Sequence, residues 1–191
     1  MGQGDATEDN AANAAAGLRH LSKYFREHPV TGPDGHSYIS NQPRATATNP
    51  GMPLNVRVLE HIDRTVAEVA AYTREVNPDA EPLPDDVLDV YRWCVENTVH
   101  APEIVQQRRE VLEYQHSLEH AVAAGDTDVI PPHPCPDCRT WGLMWDKLTR
   151  RIVCTNRRCV DEEGLSTTIT FARLAHEHVT ARKNLRDVRA T

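Results

Sequence analysis

Four cysteines carry the most specific chemistry in this 191-residue chain. Cys135-Pro-Asp-Cys138 is followed, after fifteen intervening residues, by Cys154-Thr-Asn-Arg-Arg-Cys159. Each pair can wrap its thiolates around one side of a metal ion, and the spacer between them is long enough for a single hairpin. This spacing predicts a four-cysteine zinc ribbon holding one structural Zn2+ on Cys135, Cys138, Cys154 and Cys159. Four thiolates complete a tetrahedron and leave no position for water or substrate, so the site implies fold stabilisation and not Lewis-acid catalysis. Two structural disulfides, or redox chemistry at Cys135 and Cys138, are the alternatives, and the reduced thiols expected in a cytoplasmic setting favour the metal. His133 precedes Cys135 by two residues, but four cysteines already satisfy the ion.

The spacer supports this geometry. Residues 141–145, Trp-Gly-Leu-Met-Trp, alternate as a strand, Asp146 and Lys147 supply a turn, and Arg150-Arg151-Ile152-Val153 returns into the second cysteine pair. Arg150, Arg151, Arg157 and Arg158 sit on or beside this hairpin, and Trp141 and Trp145 share one of its faces. Cations around aromatic rings suit single-stranded nucleic acid, through phosphate attraction and base stacking. The alternative is that both tryptophans pack on a C-terminal helix whose apolar stripe is Phe171, Leu174, Ala175 and His178. Thr167-Thr168 is the expected cap of that helix. The tail from Arg182 to Arg189 reads either as a basic arm or as a solvated helix end.

Charge divides the chain along the same line. Residues 1–130 carry 10 basic and 21 acidic side chains, and residues 131–191 carry 11 basic and 7 acidic. The overall charge of −7 argues against a general nucleic-acid binder, but only for the first part. Residues 125–134, with two Asp and three Pro, read as the linker between the two.

The elements that must position these groups are mostly helical. Residues 1–16 are small and polar and read as a disordered tail. A short helix over Leu18–Glu27 and a Pro/Gly-rich loop with Tyr38 and Ile39 fill residues 17–53. Residues 54–124 read as an antiparallel helical bundle: a helix over Leu54–Val76, a second opening after Pro84 with Asp85 and Asp86 in its first turn, and a third from Pro102. The expected fold class is mainly α, with this N-terminal bundle followed by the zinc ribbon and C-terminal helix of residues 135–191. No apolar run approaches the roughly 18 residues of a membrane span, and the N-terminus has no basic start or apolar stretch, so neither a membrane nor a signal peptide is expected.

Other candidate sites fall away. Glu113-Tyr-Gln-His116, with His120 a turn later, matches the Glu-x-x-His pattern of carboxylate-bridged di-metal bundles, which needs a second such motif. None is present. On a helical projection Ile104, Val111, Gln115, Leu118 and Val122 cluster on one side, and Arg109, Glu113, His116 and His120 on the other. The histidines are therefore expected to face solvent and not to serve as ligands. Cys94 lies in an apolar stripe as a small hydrophobe. No phosphate loop, nucleophile elbow or Ser/His/Asp set can be assembled, so no enzyme activity and no small-molecule substrate are expected.

The segment from Pro134 to Val179, with CPDC, the Trp-rich strand, the second cysteine pair and the FARLAHEHV helix, resembles small uncharacterised zinc-ribbon proteins of actinobacteria and their phages or prophages. That resemblance implies four cysteines at a ribbon behind a helical, acidic region. The expectation is a cytoplasmic, regulatory, non-enzymatic protein. Its acidic helical half would bind a protein partner, and its ribbon DNA, RNA or a nucleic-acid-bound complex. An interaction adaptor with a purely structural zinc is the alternative.

Overall fold

The computed structural model describes residues 5–27 and 54–190. The expected loop at 29–53 and the first four residues of the expected tail lie outside the described residues. In chain order the elements are α1 (Asp5–Glu27), α2 (Leu54–Val76), a 3-10 turn (Val87–Asp89) continuing into α3 (Val90–Thr98), α4 (Glu103–Ala123), β1 (Leu143–Asp146), β2 (Arg151–Cys154), β3 (Thr168–Ile169) and α5 (Phe171–Ala190). The chain is thus mainly helical, with one small antiparallel sheet in the order β1-β2-β3.

α2 has the bounds that its apolar spacing predicts, and Val58, Ile62, Val69 and Ala70 are buried. α3 is preceded by Asp86, whose carboxylate accepts from the Leu88 amide. α1 departs from expectation, because it takes in residues 5–16, where composition suggests a tail. Alanine, which recurs through this stretch, has the strongest helix propensity of any residue, and its small side chain permits close approach. Ala11 and Ala14 are buried, and a Cβ on Gly17 would stand 2.9 Å from the His120 Cβ, so α1 lies tightly along α4.

α4 is the second departure. Its polar side is not solvated: Arg109, Glu113, His116 and His120 are all at most 1% exposed. Ile104, on the stripe expected to be inside, is 66% exposed. α4 is a central helix that packs against α1, α2 and α5, and its side chains also reach α3 and the sheet. An amphipathic projection presumes one wet side, and here the polar side meets polar groups of its neighbours.

Two apolar cores result. One joins α1, α2 and α3 through Leu18, Leu21, Val69 and Tyr91. The other joins Leu118 of α4 and Ile130 to Leu143, Ile152, Ile169 and Leu174, with Cys135, Cys154 and Cys159 in its wall. Ile130, within the expected linker, is completely buried, so residues 125–134 are fastened to the second core. Tyr114 of α4 completes the junction. Its ring stacks on His178 at 4.2 Å and its hydroxyl is 2.7 Å from His133 Nε2.

β3 is absent from the expected elements, being only two residues long, and it pairs Ile152 with Ile169 and Val153 with Thr168. It displaces the expected helix cap. Thr168 lies in the strand, and Thr170 supplies the hydroxyl that accepts from the Arg173 amide at the start of α5.

Candidate metal centre and basic face

β1 and β2 form the expected hairpin, with Leu143 opposite Cys154 and Asp146 opposite Arg151. Its four-residue loop is held by Asp146, which accepts from the Leu148 amide and the Thr149 hydroxyl. The hairpin therefore delivers Cys154 beside the first cysteine pair. In the first knuckle, the Cys135 amide donates to Thr140 O and the Arg139 amide to Cys135 O, each at 2.9 Å. In the second, the Cys159 amide donates to Asn156 O, and Asn156 Oδ1 accepts from the Arg158 amide. One backbone and one side-chain bond to Asn156 thus span the wider spacing of this pair. The knuckles meet where the Thr155 amide donates to Gly142 O at 2.9 Å. Gly142 has φ +130°, and a Cβ there would collide with Thr155 Oγ1, so this crossing requires glycine.

The four sulfurs converge. Ligand atoms of Cys135, Cys138, Cys154 and Cys159 all lie within 4.8 Å of one another, and they alone among the described residues form such a group. Cys135 and Cys159 sulfurs are 3.8 Å apart, and those of Cys138 and Cys154 are 3.7 Å apart. A tetrahedron of four sulfurs at about 2.3 Å from a central ion has edges of about 3.8 Å. A disulfide needs about 2.05 Å, so these are four free thiols with the spacing of metal ligands. The residues fit a closed metal site. His133 is no part of it, being buried against Tyr114 and Ile130.

The proposed nucleic-acid contacts divide. Arg150, Arg151, Arg157 and Arg158 are exposed and form no ion pair among the described residues. Other cations of this half are engaged: Arg139 with Glu177 at 2.7 Å, Arg173 with Asp137 at 2.6 Å, and Lys183 with Glu103 at 2.6 Å. Arg182 donates to Asn10 of α1, which ties the expected basic arm to the bundle at its base. The tryptophans do not behave alike. Trp141 is 69% exposed, whereas Trp145 is half-buried with its ring 5.5 Å from Phe171. Trp141 is the more open of the two, and Trp145 keeps part of its surface accessible beside Phe171.

The group that sequence reasoning missed lies between α2, α3 and α4. Arg64, a donor only, contacts His61 Nδ1 at 2.9 Å, which leaves the His61 proton on Nε2. That nitrogen is 2.8 Å from His120 Nδ1, and His120 Nε2 is 2.9 Å from the Tyr91 hydroxyl. A directed chain of hydrogen bonds thus runs from the surface into the bundle. Burial lowers both imidazoles, His61 to about 4 and His120 to about 3, so both are neutral near pH 7. His116 Nε2 meets Glu68 at 2.9 Å, and that hydrogen bond lowers the Glu68 carboxyl. Deeper still, Glu113 stands 3.4 Å from Arg109 Nε, while Arg109 Nη1 donates to Thr98. Among the described residues neither Glu113 oxygen, nor His116 Nδ1, nor Thr65 Oγ1 has a hydrogen-bond partner. Desolvation pushes Glu113 up to about 8, against the pull of Arg109. The only sequence signal is periodicity: His61, Thr65, Glu68 and Tyr72 recur at helical spacing on α2 opposite the polar positions of α4.

No described helix is long and apolar enough to cross a membrane. Comparison with known proteins finds no matching family, no matching curated protein and no matching solved structure.

Proposed function

We propose that this is a non-enzymatic zinc-ribbon protein of a regulatory kind, whose ribbon contacts nucleic acid or a nucleic-acid-bound complex. Four converging cysteine sulfurs, two pairs of them at a tetrahedron's edge length, support zinc as the ion, because this borderline-soft metal favours all-thiolate coordination and needs no open position. Within such a site Cys135, Cys138, Cys154 and Cys159 hold the ion, and the ion fastens the two knuckles where the apolar core is small. The observation that carries the nucleic-acid reading is the contrast among cations. Arg139, Arg173 and Lys183 are matched to carboxylates, but Arg150, Arg151, Arg157 and Arg158 are left for a ligand, with Trp141 exposed nearby in sequence.

The test is equilibrium binding of the full-length, zinc-loaded chain to a labelled single-stranded oligonucleotide across a salt series. Four phosphate contacts predict a log–log salt slope of about −3. Affinity that ignores salt, or no binding at low salt, contradicts the proposal. An adaptor role is favoured by a different observation: Leu148 at the hairpin tip is 95% exposed and Met144 is 47% exposed, which suits an apolar protein surface. For that role, Leu148→Ser abolishes partner binding while reversal of the four arginine charges spares it.

A further inference from the structure

One arginine of the ribbon sits where the backbone favours glycine. The loop between β1 and β2 closes at Arg150, whose φ is +54°. A non-glycine residue pays a steric penalty there, and hairpin loops ordinarily place Gly or Asn at this position. Arg139, with φ +58°, is strained in the same way, but its guanidinium has Glu177 as a partner. Arg150 has no carboxylate partner among the described residues. A strained backbone that presents an unmatched cation points to a ligand for that cation.

The surroundings of Arg150 show which ligand. It lines, with Arg151, a cleft of about 420 Å³ between the sheet and α4. That volume lies within the range of about 300–1,000 Å³ typical of small-molecule sites. One wall is aromatic, made by Trp145 and Phe171, whose rings are 35° apart in orientation. Thr168 and Thr170 complete the polar part of the lining. The one carboxylate in the lining, Glu119, already accepts from Arg64 at 3.2 Å and from Gln115 at 2.9 Å, so it leaves the arginines largely unopposed. The charge of Arg150 also extends inward, where it contributes to the lowering of His61.

We propose that this cleft is a nucleotide subsite: Arg150 and Arg151 bind a phosphate, and a base lies against Trp145 and Phe171. A guanidinium matches phosphate oxygens, and an aromatic side chain matches the face of a base. The inference rests on the nucleic-acid reading of the ribbon and adds the place where one nucleotide unit is held. The same chemistry can come from a strand or from a free mononucleotide. The arginines beyond the cleft, Arg157 and Arg158, contribute only general attraction.

The test uses the full-length, zinc-loaded protein with two probes, a single-stranded DNA 12-mer and a nucleoside monophosphate, at low salt. Arg150→Gly is the decisive variant, because it removes the guanidinium while relieving the positive φ. The subsite predicts unchanged or raised thermal stability together with at least a tenfold loss of affinity for the bound probe, the scale of a lost charge-assisted hydrogen bond. Arg151→Ala should weaken binding similarly, and Arg157→Ala much less. Binding of the monophosphate alone, lost in Arg150→Gly, supports the cleft with a free nucleotide as its ligand. Strand binding that survives Arg150→Gly and Arg151→Ala but disappears in Arg157→Ala/Arg158→Ala overturns the cleft and leaves the broader reading standing. No binding of either probe by the unaltered protein overturns both.

Discussion

Replacing Glu113 by glutamine should stabilise the protein, by an amount that grows with pH. Glu113 and Arg109 are both 1% exposed, with Nε and Oε1 3.4 Å apart. At an effective dielectric constant of about 20, a pair at this separation attracts by about 5 kcal/mol. Removing a carboxylate and a guanidinium from water costs several kcal/mol for each ion. With neither Glu113 oxygen hydrogen-bonded among the described residues, the cost exceeds the gain, and the carboxyl is pushed up to about 8 from 4.5. The sign follows. The folded pKa lies above the unfolded one, so the contribution of Glu113 is fully present below about pH 4.5 and is lost as the pH rises through 8. At pH 7 the native state has forfeited about 3 kcal/mol, from 2.5 pH units at about 1.4 kcal/mol each. The carboxamide of Glu113→Gln cannot ionise and keeps an acceptor for Arg109. Urea denaturation followed by far-UV circular dichroism, at intervals from pH 5 to 8, should show the variant ahead of wild type by about 1 kcal/mol at pH 5 and by about 3 kcal/mol at pH 7. A loss of about 3–5 kcal/mol at pH 7, the cost of breaking a buried ion pair, would refute the reasoning. A difference that does not vary with pH would refute it equally.

Acid should act in the opposite direction through the histidines. Their folded pKa values, about 4 for His61 and about 3 for His120, lie below 6.5, so their stabilisation is present above pH 6.5 and is lost as the pH falls below it. In the Glu113→Gln background, which removes the opposing titration, urea midpoints should fall steadily from pH 7 to 5, and a flat profile contradicts buried neutral imidazoles. Gly17→Ala should destabilise by about 1–3 kcal/mol despite the better helix propensity of alanine, because its Cβ would meet the His120 Cβ at 2.9 Å; a stabilised variant shows that α1 is not held this close. Tyr114→Phe should cost about 1 kcal/mol through the lost bond to His133, measured by thermal denaturation, and no cost means that this bond does not fasten α4 to the ribbon.

The parts legible in the sequence are those set by local rules. Cysteine spacing indicates four converging thiols, because each pair is a short turn and the spacer can only fold back on itself. The stripe of α2 is legible because Val58, Ile62 and Val69 face one neighbouring core. The inward side of α4 is illegible for a tertiary reason. Glu113, His116 and His120 are polar by type, and nothing within that helix shows that His61, Glu68 and Tyr91 wait opposite them. β3 is hidden because Thr168 and Ile169 have no strand pattern of their own and exist as a strand only through their pairing with β2. Within the basic face, residue type does not separate Trp145, packed on Phe171, from Trp141, which is exposed. Nor does it separate Arg139, matched by Glu177, from Arg150. Partners far along the chain make those distinctions.

The most direct measurement is native mass spectrometry of the full chain purified without chelator. Four sulfurs converging within 4.8 Å predict one zinc per chain with four thiol protons displaced, and loss of that zinc in a Cys154→Ser variant. A metal-free chain lighter by the hydrogens of one or two disulfides, or a zinc that survives Cys154→Ser unchanged, would contradict the metal centre on which the ribbon is built.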